Sequence, residues 1–202
     1  MMRVLVLAAV GAACAVAPLS AQAPELTPFA EAALSSRYGL GSRDDAPQWQ
    51  GVGLRASWPI MTRAVSLHYV MEVLPVVRLG APPEPPRLAN QATAAPQPED
   101  GQRFAAGVMP IGVELRLPFD PATRVTARAL GGLVAANVRL PPISGREVNF
   151  AWRLSVGLEK VLLGQAVFGA SLGWTHLSNA GTALQNPGLD LLVAQLGVTL
   201  RP

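Results

Sequence analysis

The chain reads as an all-β protein, an eight-stranded antiparallel transmembrane β-barrel of the outer membrane. Three observations predict this. The sequence is 50% hydrophobic and 14% charged, yet no apolar run reaches the roughly 18 residues that a membrane helix needs. It carries 19 glycines and 19 prolines, suited to the turns and tight lumen positions of a barrel. Segment after segment also alternates apolar and polar residues with period two, as strands do when one face meets lipid and the other a polar interior.

The first segment is read as a secretory signal rather than structure. Arg3 gives the positive start, residues 4–16 an apolar stretch, and the small residues around Ala21 and Ala23 a cleavage site. Pro24 hinders cleavage after Ala23, so residues 1–21 are assigned to the signal peptide and 22–202 to a single barrel domain. Cys14, the one cysteine, falls inside that signal. The mature chain therefore has neither disulfide nor thiolate chemistry.

Eight strands follow in order. Leu26–Tyr38 is the weakest. In Gln50–Ile60, Val52, Leu54, Ala56, Trp58 and Ile60 share the outward face. Ala64–Leu74 places Val65, Leu67, Tyr69, Met71 and Val73 outward, with Ser66, His68 and Glu72 inward. In Ala106–Leu117, Ile111, Val113, Leu115 and Leu117 alternate with Gly112, Glu114 and Arg116. Arg124–Ala136 is rich in small residues, with Arg128 inward. Val148–Leu158 sets Phe150, Trp152, Leu154 and Val156 against Asn149, Arg153 and Ser155. Ala166–Ser178 and Asp190–Leu200 complete the set. The links near 61–63, 118–123 and 159–165 are short; those near 39–49, 75–105, 137–147 and 179–189 are long. With a periplasmic N-terminus, every long link falls on the extracellular side, as in single-chain bacterial barrels.

The net charge of +3 comes from scattered arginines with no basic run, which argues against nucleic acid. Eight charged residues fall on lumen parity: Glu31, Glu72, Glu114, Glu159, Arg55, Arg116, Arg128 and Arg153. Equal numbers of acids and arginines in a narrow interior predict paired packing rather than a transport path. His68, beside Glu72 on that face, reads as structural.

The chemistry is expected at the end of the seventh strand. His176 and Ser178 continue the outward series of Phe168, Leu172 and Trp174, and Asp190 shares the outward parity of Leu192 and Leu196. Residues two apart on one strand face lie about 6.6–6.8 Å apart at Cα, within reach of an imidazole and a hydroxyl. A hydroxyl becomes a useful nucleophile when a base takes its proton and a third group fixes that base. Read from the residues alone, the pattern leaves open catalysis and a merely interfacial histidine.

His176-x-Ser178-Asn179-Ala180-Gly181, followed by Asn186-x-Gly188 and Asp190, resembles the lipid A 3-O-deacylase family, the PagL-type acyloxyacyl hydrolases. The match covers about fifteen residues; elsewhere signal, size and strand rhythm agree. The resemblance implies an outer-membrane esterase that hydrolyses the 3-O-linked acyl chain of lipid A without metal or cofactor. Ser178 would be the nucleophile, His176 the general base and Asp190 the orienting acid. Asn179, Ala180 and Gly181 would supply oxyanion amides, with Asn186 and Gly188 shaping the facing loop. Lipopolysaccharide would be the partner, and a homodimer is compatible with the family. Two departures stand out. The family's type members carry Glu where this chain has Asp190, which predicts a shorter reach to His176, and the chain ends Leu200-Arg201-Pro202 without a terminal aromatic. The rival readings are a non-enzymatic small barrel, structural or binding, and an esterase or phospholipase acting on another lipid.

Overall fold

The computed structural model describes residues 23–35, 48–80, 102–140, 146–162, 166–182 and 188–200. The signal segment, Cys14, Asn186 and the C-terminal Arg201-Pro202 lie outside these residues. Eight strands close into one barrel: β1 Glu25–Ser35, β2 Trp49–Thr62, β3 Ser66–Leu79, β4 Arg103–Pro118, β5 Thr123–Leu140, β6 Arg146–Val161, β7 Ala166–Ser178 and β8 Leu189–Leu200. Each pairs antiparallel with its sequence neighbour, and β1 pairs with β8. Closure satisfies every backbone ladder, the condition for strands to cross hydrocarbon. The outer surface is correspondingly apolar, with Val52, Leu54, Val113, Leu115, Leu154, Val156, Leu158, Leu172 and Leu196 exposed around it. A closed barrel with such an exterior is built to span a membrane.

β7 has the bounds its alternation predicts, whereas β3, β4 and β5 run further toward the extracellular side. The expected 75–105 link starts after Leu79, and the 137–147 link after Leu140. In β3 a proline hides the extension by resetting the alternation at Pro75. Register shifts fall between Pro59 and Met61, between Leu74 and Val77, and between Val108 and Ile111. Pro59, Pro75 and Pro110 sit at these shifts, since proline cannot donate to a ladder and is accommodated at bulges. Past Pro75 the buried residues of β3 change from even to odd numbers, Leu74 giving way to Val77 and Leu79. Val65, read as outward on this strand, lies in the turn before it, and Met71, read as lipid-facing, is 4% exposed. Met71 lies within the shift between Tyr69 and Glu72, where the strand's regular alternation of faces is interrupted.

The lumen has two zones. Toward the extracellular end, Trp49, Leu79, Val134, Leu140, Leu177, Leu189, Leu191 and Val193 form an apolar plug. Below it lies an ion-pair network. Arg55 binds Glu72 at 2.7 Å, and Arg153 bridges Glu31 at 2.8 Å and Glu72 at 3.2 Å. Gln195 amide donates to Glu31 and accepts from Arg55, and Arg116 and Arg128 both pair with Glu114. Arg116 also reaches Glu25, and Arg124 pairs with Glu159. All eight charges placed in the lumen from sequence are there and buried. His68 is there too, its Nδ1 3.1 Å from Ser57 Oγ. One gap among these groups has a volume of about 10 Å³, room for a single water rather than a path. At the periplasmic turn, Asp120 accepts the backbone amides of Ala122 and Thr123, both at 2.7 Å. These bonds, the one from Ala122 first, hold its carboxyl below the usual range.

Candidate functional site

The site is carried by the extracellular ends of β6, β7 and β8, and the apolar plug fixes those ends. On β7 and β8 the odd-numbered Leu177, Leu189 and Leu191 point inward and are each 1% exposed. Strand alternation then forces His176, Ser178 and Asp190 onto the outer face. The ladder sets His176 directly opposite Asp190 on one side and Trp152 on the other, with Ser178 opposite Phe150.

His176 Nδ1 lies 2.8 Å from Asp190 Oδ1. The expectation of a shorter reach for aspartate is overturned: direct cross-strand pairing brings the two residues close enough that the missing methylene is not needed. A second expectation is also corrected. The pair lies on the lipid side of the wall, but it is not bathed in lipid, since His176 is 9% and Asp190 0% exposed. The cover is partly aromatic. The Trp152 ring centroid lies 5.7 Å from that of His176, Trp174 lies at 6.3 Å, and the two indoles meet edge to face at 4.6 Å. Sequence reasoning placed both tryptophans outward but missed their part in the site; their position level with the histidine on adjacent strands was the available signal.

Ser178 is half-buried, two residues beyond His176 on the same face, and its hydroxyl makes no hydrogen bond to the imidazole. In ligand-free sites the nucleophile–base contact is commonly loose and tightens once substrate is bound.

The turn after Ser178 is tightly built. Asn179 is 2% exposed, and its Oδ1 accepts the Gly181 amide at 2.9 Å. Its carbonyl accepts both the amide and the hydroxyl of Thr182, at 3.0 and 2.8 Å. Such a side-chain turn is what asparagine favours. Ala180 and Gly181 both take the left-handed conformation, with φ of 50° and 76°, and Gly188 enters β8 with φ of 62°. A glycine meets this requirement without strain, whereas alanine does not. The three residues named as oxyanion donors are thus unequal. The Gly181 amide is already engaged by Asn179, while Ala180 is exposed and forms no such bond. Asn186, expected to shape the facing loop, lies outside the described residues.

Further along the same three strands, an apolar groove of about 480 Å³ opens on the outer surface. Val156 and Leu158 of β6, Ala170 and Leu172 of β7, and Ala194 and Leu196 of β8 line it. Among the described residues no cluster of metal-ligating side chains occurs.

No protein-family model and no curated protein matches the sequence. Solved structures do resemble the fold. The outer membrane enzyme PagL superposes with a TM-score of 0.60 at 12% identity, over 85% of this chain and 97% of that one. Neisserial surface protein A (NspA) gives 0.46 at 12% identity, over 89% and 96%. The Yersinia pestis outer membrane protein Ail gives 0.36 at 14% identity, over 86% and 99%. At these identities the likeness is one of fold: an eight-stranded outer-membrane barrel.

Proposed function

We propose that this barrel is a lipid esterase that hydrolyses the 3-O-linked acyl chain of lipid A. The observation that carries the reading is the outward-facing pair of His176 and Asp190 at 2.8 Å, with Ser178 two residues along the same face at the extracellular strand end. A lumen-facing pair would have a structural explanation; an outward pair at that depth lies where a lipid's ester bonds lie. The motif resemblance narrows the ester to that of lipid A, and the likeness of fold to an outer membrane enzyme is compatible with it.

In this reading the carboxylate of Asp190 accepts the Nδ1 proton, which leaves the Nε2 lone pair to act as base. Ser178 Oγ gives its proton to Nε2 and attacks the acyl carbonyl carbon. The tetrahedral oxyanion is met by backbone N–H groups of the turn, of which Ala180 is better placed than Gly181. Collapse breaks the bond to the sugar oxygen, which leaves with the proton from Nε2. Water, deprotonated by the same imidazole, then releases the fatty acid from Ser178. The indoles of Trp152 and Trp174 keep bulk water from the imidazole, and the groove between β6 and β8 offers apolar contact to an acyl chain. The chemistry assigned to these residues calls for no metal or cofactor.

The test is direct. The chain is refolded in detergent, its barrel checked by heat-modifiable gel mobility, and incubated separately with lipopolysaccharide and with phospholipid. Loss of one acyl mass from lipid A, abolished in folded Ser178→Ala and His176→Ala, is the expected result. Unchanged masses of both lipids would return the protein to the structural or binding barrels, and loss from phospholipid alone would change the substrate.

A further inference from the structure

The β6–β7 ladder ends where Phe150 pairs with Ser178. Beyond that pair β6 extends past Asn149 to Arg146, while the chain leaving Ser178 bends into the turn 179–182. Ala180 and Gly181 both have positive φ, and the Asn179 carbonyl accepts the Thr182 amide at 3.0 Å, the marks of a type I′ turn. These bonds set the turn's shape. Its placement against the barrel is a separate matter. Asn179 is buried and seats one end. Ala180, Gly181 and Thr182 are exposed. Among the described residues nothing lies within 4 Å of where a β-carbon on Gly181 would stand, so packing gives that half no hold.

Arg146 supplies one. Its Nη2 donates to the Thr182 carbonyl at 2.9 Å, beyond the end of the ladder. The backbone that carries this side chain is itself fixed. The Arg146 carbonyl accepts from Asn149 Nδ2 at 2.8 Å, and Asn149 is 1% exposed. Arg146 also pairs across the sheet with the buried Leu140 of β5. A guanidinium donates charge-assisted hydrogen bonds, roughly twice as strong as neutral ones, which suits it to hold an exposed carbonyl against competing water. Thr182 is thus fixed from both sides, its amide and hydroxyl on the Asn179 carbonyl and its own carbonyl on Arg146. The Ala180 amide lies within the loop so closed.

We propose that Arg146, braced by Asn149, is a positioning residue of the esterase reaction: it locks the outer half of turn 179–182 so that the Ala180 amide stays aimed at the oxyanion. The proposal deepens the lipid esterase reading and rests on it. An oxyanion donor is effective in so far as it is oriented before the charge develops. Because the oxyanion is absent from the bound ester, loosening the turn weakens transition-state binding and leaves substrate binding alone.

The experiment compares the full parent chain with Arg146→Gln and Arg146→Lys, each refolded in detergent and its barrel verified by heat-modifiable gel mobility. Mass spectrometry of lipid A gives kcat and KM, and nitrogen relaxation NMR without lipid gives backbone order parameters along the turn. In Arg146→Gln, kcat is expected to fall about ten- to a hundredfold at unchanged KM. The order parameters of Ala180 and Gly181 drop from about 0.85 toward about 0.6. Arg146→Lys keeps a charged donor of similar reach and recovers part of both. Arg139→Gln, which removes an exposed charge from the neighbouring strand, leaves both unchanged. Parental kcat in Arg146→Gln, or a lost kcat with the turn as rigid as before, overturns the proposal. A raised KM at constant kcat overturns it too, since Arg146 would then be a lipid contact. A parent that cleaves no lipid, with a turn that still loosens in Arg146→Gln, sinks the esterase reading itself; a parent that cleaves no faster than Arg146→Gln, both being active, sinks the positioning role alone.

Discussion

Inside the barrel, five glutamates and five arginines are all ion-paired, and at the centre Glu72 touches two guanidinium groups and Gln195. On the outer face, Asp190 meets the imidazole of His176. Both arrangements are buried. They differ in what their remaining valences do. In the lumen every one of these charges has an opposite charge as partner, and Glu72, Glu114, Arg116 and Arg153 each have two, so the arrangement is rigid and holds the wall together. Outside, the imidazole has one nitrogen fixed by Asp190, and two indoles lie beside it. A polar group saturated on all sides is architecture; one held at one end and left a free lone pair at the other is equipped to move a proton.

The comparison breaks most sharply at Ser178. Ser178→Ala is expected to lower lipid A deacylation by about 10⁴-fold or more while the unfolding free energy stays within about 0.5 kcal/mol of the parent. Mass spectrometry of lipid A and urea unfolding in detergent check the two halves. Asp190→Asn follows at roughly 10⁴-fold, because an amide facing Nδ1 favours the wrong tautomer; single-turnover rates on purified lipid A measure it. The lumen should behave in the opposite way. Glu72→Ala leaves Arg55 and Arg153 short of a partner and is expected to destabilise the barrel by about 3–5 kcal/mol, with the rate per folded molecule unchanged. Equal losses of rate and stability in Glu72→Ala would erase the distinction between the two regions.

Two smaller changes sharpen it. Asp190→Glu adds a methylene to a contact already made at 2.8 Å, so the carboxylate must fold back. An activity loss of about ten- to a hundredfold is expected from the misplacement, and an unchanged rate would show that the pairing tolerates either acid. Ala180→Gly relieves a left-handed alanine at φ 50° and should raise stability by up to about 1 kcal/mol, read from the unfolding midpoint.

The alternation of Val148 to Leu158 and of Phe168 to Trp174 fixes two strands and their faces without any coordinates, since a period-two pattern has one meaning in a membrane wall. β7 ends at Ser178 as that pattern requires. The eight lumen charges are legible for the same reason, because parity alone assigns them. Where Pro75 interrupts the ladder, parity resets, so the upper part of β3 does not continue the pattern below it, and Met71, inside the shift between Tyr69 and Glu72, is buried despite its outward parity.

By itself, the sequence determines the barrel, the inward and outward faces of its regular strands, and the outward side of His176, Ser178 and Asp190. These follow from local geometry that repeats every two residues. Only the tertiary structure decides that Asp190 lies straight across from His176, that Trp152 and Trp174 pack against the imidazole, and that the Gly181 amide is already taken by Asn179. Those outcomes depend on the register between neighbouring strands and on the closure of a turn, which no single strand's periodicity encodes.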